Sequence, residues 1–199
     1  MKRLFILAGV LSLASCGSTP SYHYTLSPNG STLSAPVAIK VGPYALAEVT
    51  IPPEVDQDAL VVQQSDGQLL KLGFDRWTAP LSGHLRTALS LELTSRLGMP
   101  PVQNLTAGLR EAGVTQVQVD VQRFDLVPGK SVTLTALWRI TFASPKQILT
   151  CFTQLEQPVG PGVPALVNGQ QKNTQQLSDQ IARALIQRSA PTGATCSAG

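Results

Sequence analysis

The chain is poor in charge: Lys, Arg, Asp and Glu together make up 14% of its 199 residues. No basic run occurs anywhere in it. That excludes a partner held by phosphate neutralisation, so nucleic acid is not expected. Histidine is scarce, with only His23 and His84, which lie on different segments without ligand-like neighbours. A metal site is therefore not expected. No glycine-rich segment opens a helix with Lys-Ser/Thr, which removes a phosphate loop. Ser82-Gly83-His84 lacks the strand–turn–helix setting of a nucleophile elbow, and Asp56 and Asp58 read as a solvated turn. With no catalytic constellation and no cofactor motif, the chain is not expected to be an enzyme. Beyond the first residues, no segment is apolar enough to cross a bilayer.

What is present begins at the N-terminus. Lys2 and Arg3 precede an apolar run from Leu4 to Leu13, too short for a transmembrane helix and of the right length for a signal-peptide core. Ala14 and Ser15 then lead into Cys16-Gly17. Small residues immediately before a cysteine resemble the lipobox of bacterial lipoproteins, in which the cysteine is acylated and becomes the mature N-terminus. Residues 1–15 are thus read as a signal peptide and 16–21 as a lipidated tether rich in small and breaking residues. Loss of Lys2 and Arg3 with the signal brings the formal charge of +3 close to neutrality. The remaining chain suits one domain, 22–189, with a flexible tail over 190–199.

Cys151 and Cys196 remain. In an oxidising compartment they read as a disulfide, which would stabilise by roughly 4 kcal/mol through loop closure. The alternative is a buried free thiol and a cysteine in a disordered tail.

Val37, Ile39 and Val41 alternate as in a half-buried strand, with Val49 and Ile51 a possible extension. Leu60–Gln64 and Gln68–Leu72 flank Ser65-Asp66-Gly67 and predict a β-hairpin. Leu81, Leu85, Leu89, Leu93 and Leu97 repeat at i+4 and predict a helix capped by Thr78, with Pro80 in its first turn and Gly98 after its end. His84, Arg86, Glu92 and Arg96 fall on its other side. A short helix is predicted within 102–114. Val117, Val119 and Val121 alternate with polar residues, then the apolar parity slips to Phe124 and Leu126, which predicts a β-bulge near Arg123. Val132 to Phe142 returns with one apolar face and one face of Ser131, Thr133, Thr135, Arg139 and Thr141; a third strand runs from Ile148 to Gln154. Residues 157–169 read as a Pro/Gly-rich loop. Asn173 or Thr174 then caps a last helix carrying Leu177, Ile181, Ala184 and Leu185. The expected fold is a two-layer α+β domain: a mostly antiparallel sheet with two amphipathic helices packed on one face.

Trp77 has two readings. One is a core staple at the helix start. The other, with Arg76 beside it, is a partner-binding anchor of the kind over-represented in interface hot spots.

Several of these segments, in order, resemble the ABC-type transport auxiliary lipoproteins, the family of paraquat-inducible protein C. They are Tyr22-His23-Tyr24-Thr25-Leu26, Ile39–Pro43 leading to Val49-Thr50-Ile51-Pro52, the Trp-x-x-Pro-Leu box at Trp77-Thr78-Ala79-Pro80-Leu81, Val117–Phe124, and Leu134–Trp138. The resemblance spans most of residues 16–188. Glu54 and Val55 depart from the family's aromatic–leucine pair, and the Cys151/Cys196 pair is not a family feature. The resemblance implies a non-enzymatic lipoprotein acylated at Cys16. Gly17, rather than Asp, implies sorting to the outer membrane, facing the periplasm. It further implies an auxiliary or docking role in a lipid-transport system between the two membranes, with a mammalian-cell-entry (MCE) domain protein that bridges the envelope as partner. A homo-oligomer around a tubular partner is a further option that no residue demands. The alternative is a carrier that holds lipid itself, in an apolar pocket between sheet and helices.

Overall fold

The computed structural model describes residues 20–27, 41–64, 66–103 and 113–198. Cys16, most of the strand predicted at 37–41 and most of the helix predicted within 102–114 lie outside them. The domain is α+β, as the patterning predicts, but its strands form two sheets. In the smaller, β1 (Tyr22–Tyr24) runs parallel to β4 (Leu69–Trp77), which pairs antiparallel with β3 (Ala59–Gln63). The β3–β4 turn is the predicted hairpin: Gly67 takes φ 87°, and the Asp66 carboxylate accepts the Gln68 N–H at 3.1 Å.

The larger sheet has the order β2-β5-β6-β7-β8. Its meander consists of β5 (Thr115–Val127), β6 (Ser131–Phe142) and β7 (Gln147–Pro158). The register of β5 on β6 shifts between Val121 and Arg123, where the slip in apolar parity placed the bulge. On the far edge of β5, β2 (Tyr44–Thr50) adds in parallel, because the chain between them crosses over through the hairpin and a helix.

That helix is α1 (Leu81–Leu97), with all five leucines of the stripe buried and Gly98 closing it at φ 71°. Its N-terminus differs from the prediction. Thr78 makes no cap: its hydroxyl lies 2.6 Å from His84 Nε2. The free Ser82 N–H donates instead to the Asp56 carboxylate at 2.8 Å. Asp56, read as part of a solvated turn, thus caps a helix distant in sequence.

The last helix, α2 (Val163–Gln187), is 25 residues long. It begins ten residues before Asn173, so Asn173 and Thr174 are interior and buried, not caps. Most of the loop predicted over 157–169 is therefore the end of β7 and the start of this helix. Pro164 sits in the first turn, where its missing N–H has no helical partner. Gly169, which argued for a loop, answers a close approach instead: a Cβ there would lie 2.6 Å from Val132 Cγ2 and 2.7 Å from Val159 Cγ1. Glu92 and Arg96 of α1, predicted to face solvent, meet α2. Arg96 pairs with both Glu92 and Asp179, and Glu92 is buried. Both helices cover one face of the larger sheet.

The tail, expected to be flexible unless Cys196 pins it, is paired over 195–198. It forms β8 (Thr195–Ala198) against β7, with Cys196 opposite Cys151 and a 2.03 Å S–S bond joining them.

Two helical glycines give opposite expectations. Gly83 in α1 has open space around its Cβ position, so Gly83→Ala should stabilise by about 0.5–1 kcal/mol through helix propensity. Gly169→Ala has the same propensity gain but forces Val132 or Val159 aside, and should destabilise by roughly 1–3 kcal/mol. Urea unfolding of the two variants beside the parent chain measures both.

Candidate docking and anchoring surfaces

The sequence pointed to Cys16, Arg76, Trp77, Cys151 and Cys196. Cys16 lies outside the described residues. The segment expected to be its tether is described from Pro20, and the Ser21 hydroxyl donates to the Phe74 carbonyl of β4 at 3.2 Å. The end of that expected tether thus lies beside β4.

Arg76 and Trp77 are neighbours in sequence and separate in space, because successive strand side chains point to opposite faces. Trp77 is 2% exposed, packed edge-on to Phe124 with ring centroids 6.3 Å apart. Its ring belongs to the core, and the reading of Trp77 as an exposed partner-binding anchor is corrected. Arg76 stays at the surface, where its guanidinium donates to Asp58 at 2.7 Å. An exposed pair of this kind contributes at most about 1 kcal/mol. It ties the β2–β3 loop to β4 and leaves no joint Arg–Trp anchor.

The interior between sheet and helices is filled. Leu85, Leu89, Leu93, Leu177, Ile181 and Trp138 are each exposed by 1% or less. Three polar side chains of this layer, Trp138, Thr153 and Gln180, are bonded in series. Trp138 Nε1 donates to Thr153 Oγ1 at 2.9 Å, and that hydroxyl donates to Gln180 Oε1 at 2.6 Å. Gln180 Nε2 then donates to the Gly193 carbonyl at 3.1 Å.

Among the described residues, the other face of the larger sheet carries no helix, and it is exposed at Leu137 rather than at Ser131, Thr133 and Thr135, which are buried. A cleft of ≈ 560 Å³ crosses it over β2, β5, β6 and the start of β7, lined by Glu48, Asp120, Leu137, Arg139 and Thr150 among others. Leu137 and Phe152 are opposite one another on β6 and β7 and are 39% and 43% exposed. Sequence reasoning missed both. The signal was nonetheless there: Leu137 is the one apolar residue on the face of β6 otherwise made of Ser131, Thr133, Thr135, Arg139 and Thr141.

The titrating groups have structural causes. Burial, then the hydrogen bond to Asp75, pushes the Tyr24 hydroxyl up to about 12. Burial also raises Tyr44, whose hydroxyl donates to the Met99 carbonyl. His84 is lowered by burial. For Arg96, burial works against the charge, but the bonds to Asp179 and Glu92 outweigh it and hold the guanidinium above its ordinary value. Among the described residues, no three His, Cys, Asp or Glu side chains converge on a metal-sized site, and no helix is long and apolar enough to cross a membrane.

The class of protein this defines is an α+β domain with a filled core, one open sheet face and no assembled reactive site among the described residues. Residues 24–182 match the profile of the ABC-type transport auxiliary lipoprotein component. The chain belongs to that family, which is described as a transport component rather than as an enzyme. It is accordingly a lipoprotein associated with a membrane and with an ABC-type transport system. Two crystal structures share its fold. One, of an uncharacterized protein, superposes with a TM-score of 0.67 at 21% identity, covering 84% of this chain and 99% of its own. The other, of protein XCC0632 from Xanthomonas campestris in family DUF330, gives 0.58 at 14% identity, covering 84% and 92%. No curated protein matches the chain.

His84 gives a pH dependence with a definite sign. Its folded pKa lies below the unfolded 6.5, so the unfolded chain binds the proton first as pH falls. The stabilisation is complete above 6.5 and is lost as pH drops from 6.5 through the folded value. Thermal melts from pH 7.5 to pH 5 should show a decline in Tm that His84→Gln makes shallower.

Proposed function

We propose that this protein is a non-enzymatic docking component of an MCE-type lipid-transport system, held at the periplasmic face of the outer membrane by acyl chains on Cys16. The family supplies the transport system; the sheet face supplies the contact. The observation that carries the reading is the exposed Leu137–Phe152 pair on a face that no helix covers among the described residues, flanked by Asp120 and Arg139. A paired aliphatic and aromatic side chain ringed by polar groups is the usual composition of the centre of a protein interface. A low surface charge suits a contact made by shape and apolar area rather than by long-range attraction. The partner is an envelope-spanning MCE-domain protein, which brings the permease and ATPase into reach. Acylation supports the anchor physically: one chain binds a bilayer marginally, whereas two or more hold a protein durably.

A carrier that holds lipid between sheet and helices gains no comparable support, since that layer is occupied by Trp138 and the leucines of both helices.

Two measurements test the proposal. Leu137→Glu with Phe152→Glu should weaken capture of the purified MCE-domain partner by roughly thirtyfold, about 2 kcal/mol, while the Cys151–Cys196 bond and thermal melt stay intact. Unchanged capture would remove the sheet face from the contact. Cys16→Ser should release the protein from membranes on a carbonate wash, and retention would remove the acyl anchor.

A further inference from the structure

Among the described residues, eight large hydrophobic side chains are exposed, and four of them belong to β1 and β4 of the smaller sheet: Tyr22 at 56%, Leu69 at 51%, Leu70 at 45% and Phe74 at 52%. This concentration is not explained by the open face of the larger sheet, which holds Leu137 and Phe152. It falls on a strand that the described residues cover poorly. β1 reaches β4 only at Asp75, Arg76 and Trp77, so residues 69–74 have no partner from β1. On the other side, the β3 register jumps from Lys71 to Arg76. An apolar strand left with an open edge is a liability that soluble domains ordinarily cover or charge.

The position of the tether says what covers it. Ser21 is hydrogen-bonded to the Phe74 carbonyl, so the chain toward Cys16 departs from beside this strand. Only four residues, Gly17 to Pro20, lie between Cys16 and Ser21. Fully extended, the five steps from Cys16 to Ser21 span at most about 17 Å. A single domain of this length is about 40 Å across. A leash so short keeps β4 close to whatever surface holds the acyl chains and cannot bring the far side of the domain there instead.

We propose that the Leu69–Phe74 stretch of β4, with Tyr22, is a lipid-contacting edge that lies in the headgroup region of the leaflet carrying the Cys16 anchor. Lys71, exposed between Leu70 and Phe74, makes no ion pair among the described residues and is free to reach lipid phosphates while its stem lies on apolar surface. The edge adds a second membrane contact to the acyl chains and sets the orientation of the domain. The inference rests on acylation of Cys16 as proposed above.

The test places a reporter on the edge of the full lipidated chain. Phe74→Trp and, as a control on the sheet face, Leu137→Trp are reconstituted into phosphatidylethanolamine–phosphatidylglycerol vesicles with and without brominated acyl chains. The native Trp77 and Trp138 are 2% and 1% exposed, and the unsubstituted chain supplies their background. Bromine should remove a large share of the F74W emission and little of the L137W emission. Intact mass, read on the same samples, separates the two ideas. An acylated, vesicle-bound F74W chain without quenching overturns the lipid edge and leaves the anchor standing. A chain without acyl groups overturns the anchor and the edge with it. Emission of F74W that shifts to the blue with protein concentration alone, in the absence of vesicles, assigns the strand to a second copy and likewise overturns the lipid contact.

Discussion

Helix α2 lies on the larger sheet through amides as much as through leucines. Gln170 Nε2 donates to the carbonyls of Asp125 and Thr133, at 3.1 and 3.0 Å, two residues that are themselves partners across β5 and β6. Asn173 Nδ2 reaches the Val132 carbonyl at 3.4 Å, and Gln180 closes the chain of bonds from Trp138 to Gly193. A buried amide stripped of its partner costs about 1–3 kcal/mol, so a shift of the helix by one residue would orphan several groups at once. Leucines alone tolerate such a shift much better. Gly169 belongs to the same constraint, because it lets the first turns of α2 come down onto Val132.

Much else depends on that seat. Arg96 holds α1 beside α2 through Asp179 and is itself braced by Glu92 of its own helix, which explains why a helix with a single leucine stripe also buries an acidic residue on its flank. The tail is positioned twice, by Gln180 on the Gly193 carbonyl and by Cys196 on Cys151. Arg188, just past the end of α2, lies 4.3 Å over the Phe142 ring and donates to the carbonyls of Ser144 and Pro145. Because both of these helices sit on one face, the opposite face carries, among the described residues, short threonines, long polar side chains and the Leu137–Phe152 pair. The buried amides of α2 thus serve the seating of helix on sheet.

The elements that were legible in the sequence are those whose signal is local. The β3–β4 hairpin needed only Asp66-Gly67, the bulge near Arg123 only a slip in apolar parity, and α1 only a leucine every fourth residue. Those that were not legible depend on partners distant in the chain. The first turns of α2 carry Gly169, Gln170 and Asn173, which look like loop and cap residues until a sheet lies beneath them. Asp56 looks solvated until Ser82 arrives at its carboxylate. Arg76 and Trp77 look like one site until the strand turns them to opposite faces. Leu137 was legible in principle, as the apolar interruption in a polar face.

By itself the sequence determined the hairpin, the alternating strands of the meander, the leucine stripe of α1 and the α+β class, because each depends on spacing along a few residues. Tertiary structure alone decided that the described strands form two sheets, that α2 begins at Val163, that the tail becomes β8, that Trp77 is core, and that residues 69–74 of β4 have no partner from β1. The physical reason is common to these cases. A polar or breaking residue has no fixed meaning until its hydrogen-bond partner or its near neighbour is known, and here those partners stand tens of residues away.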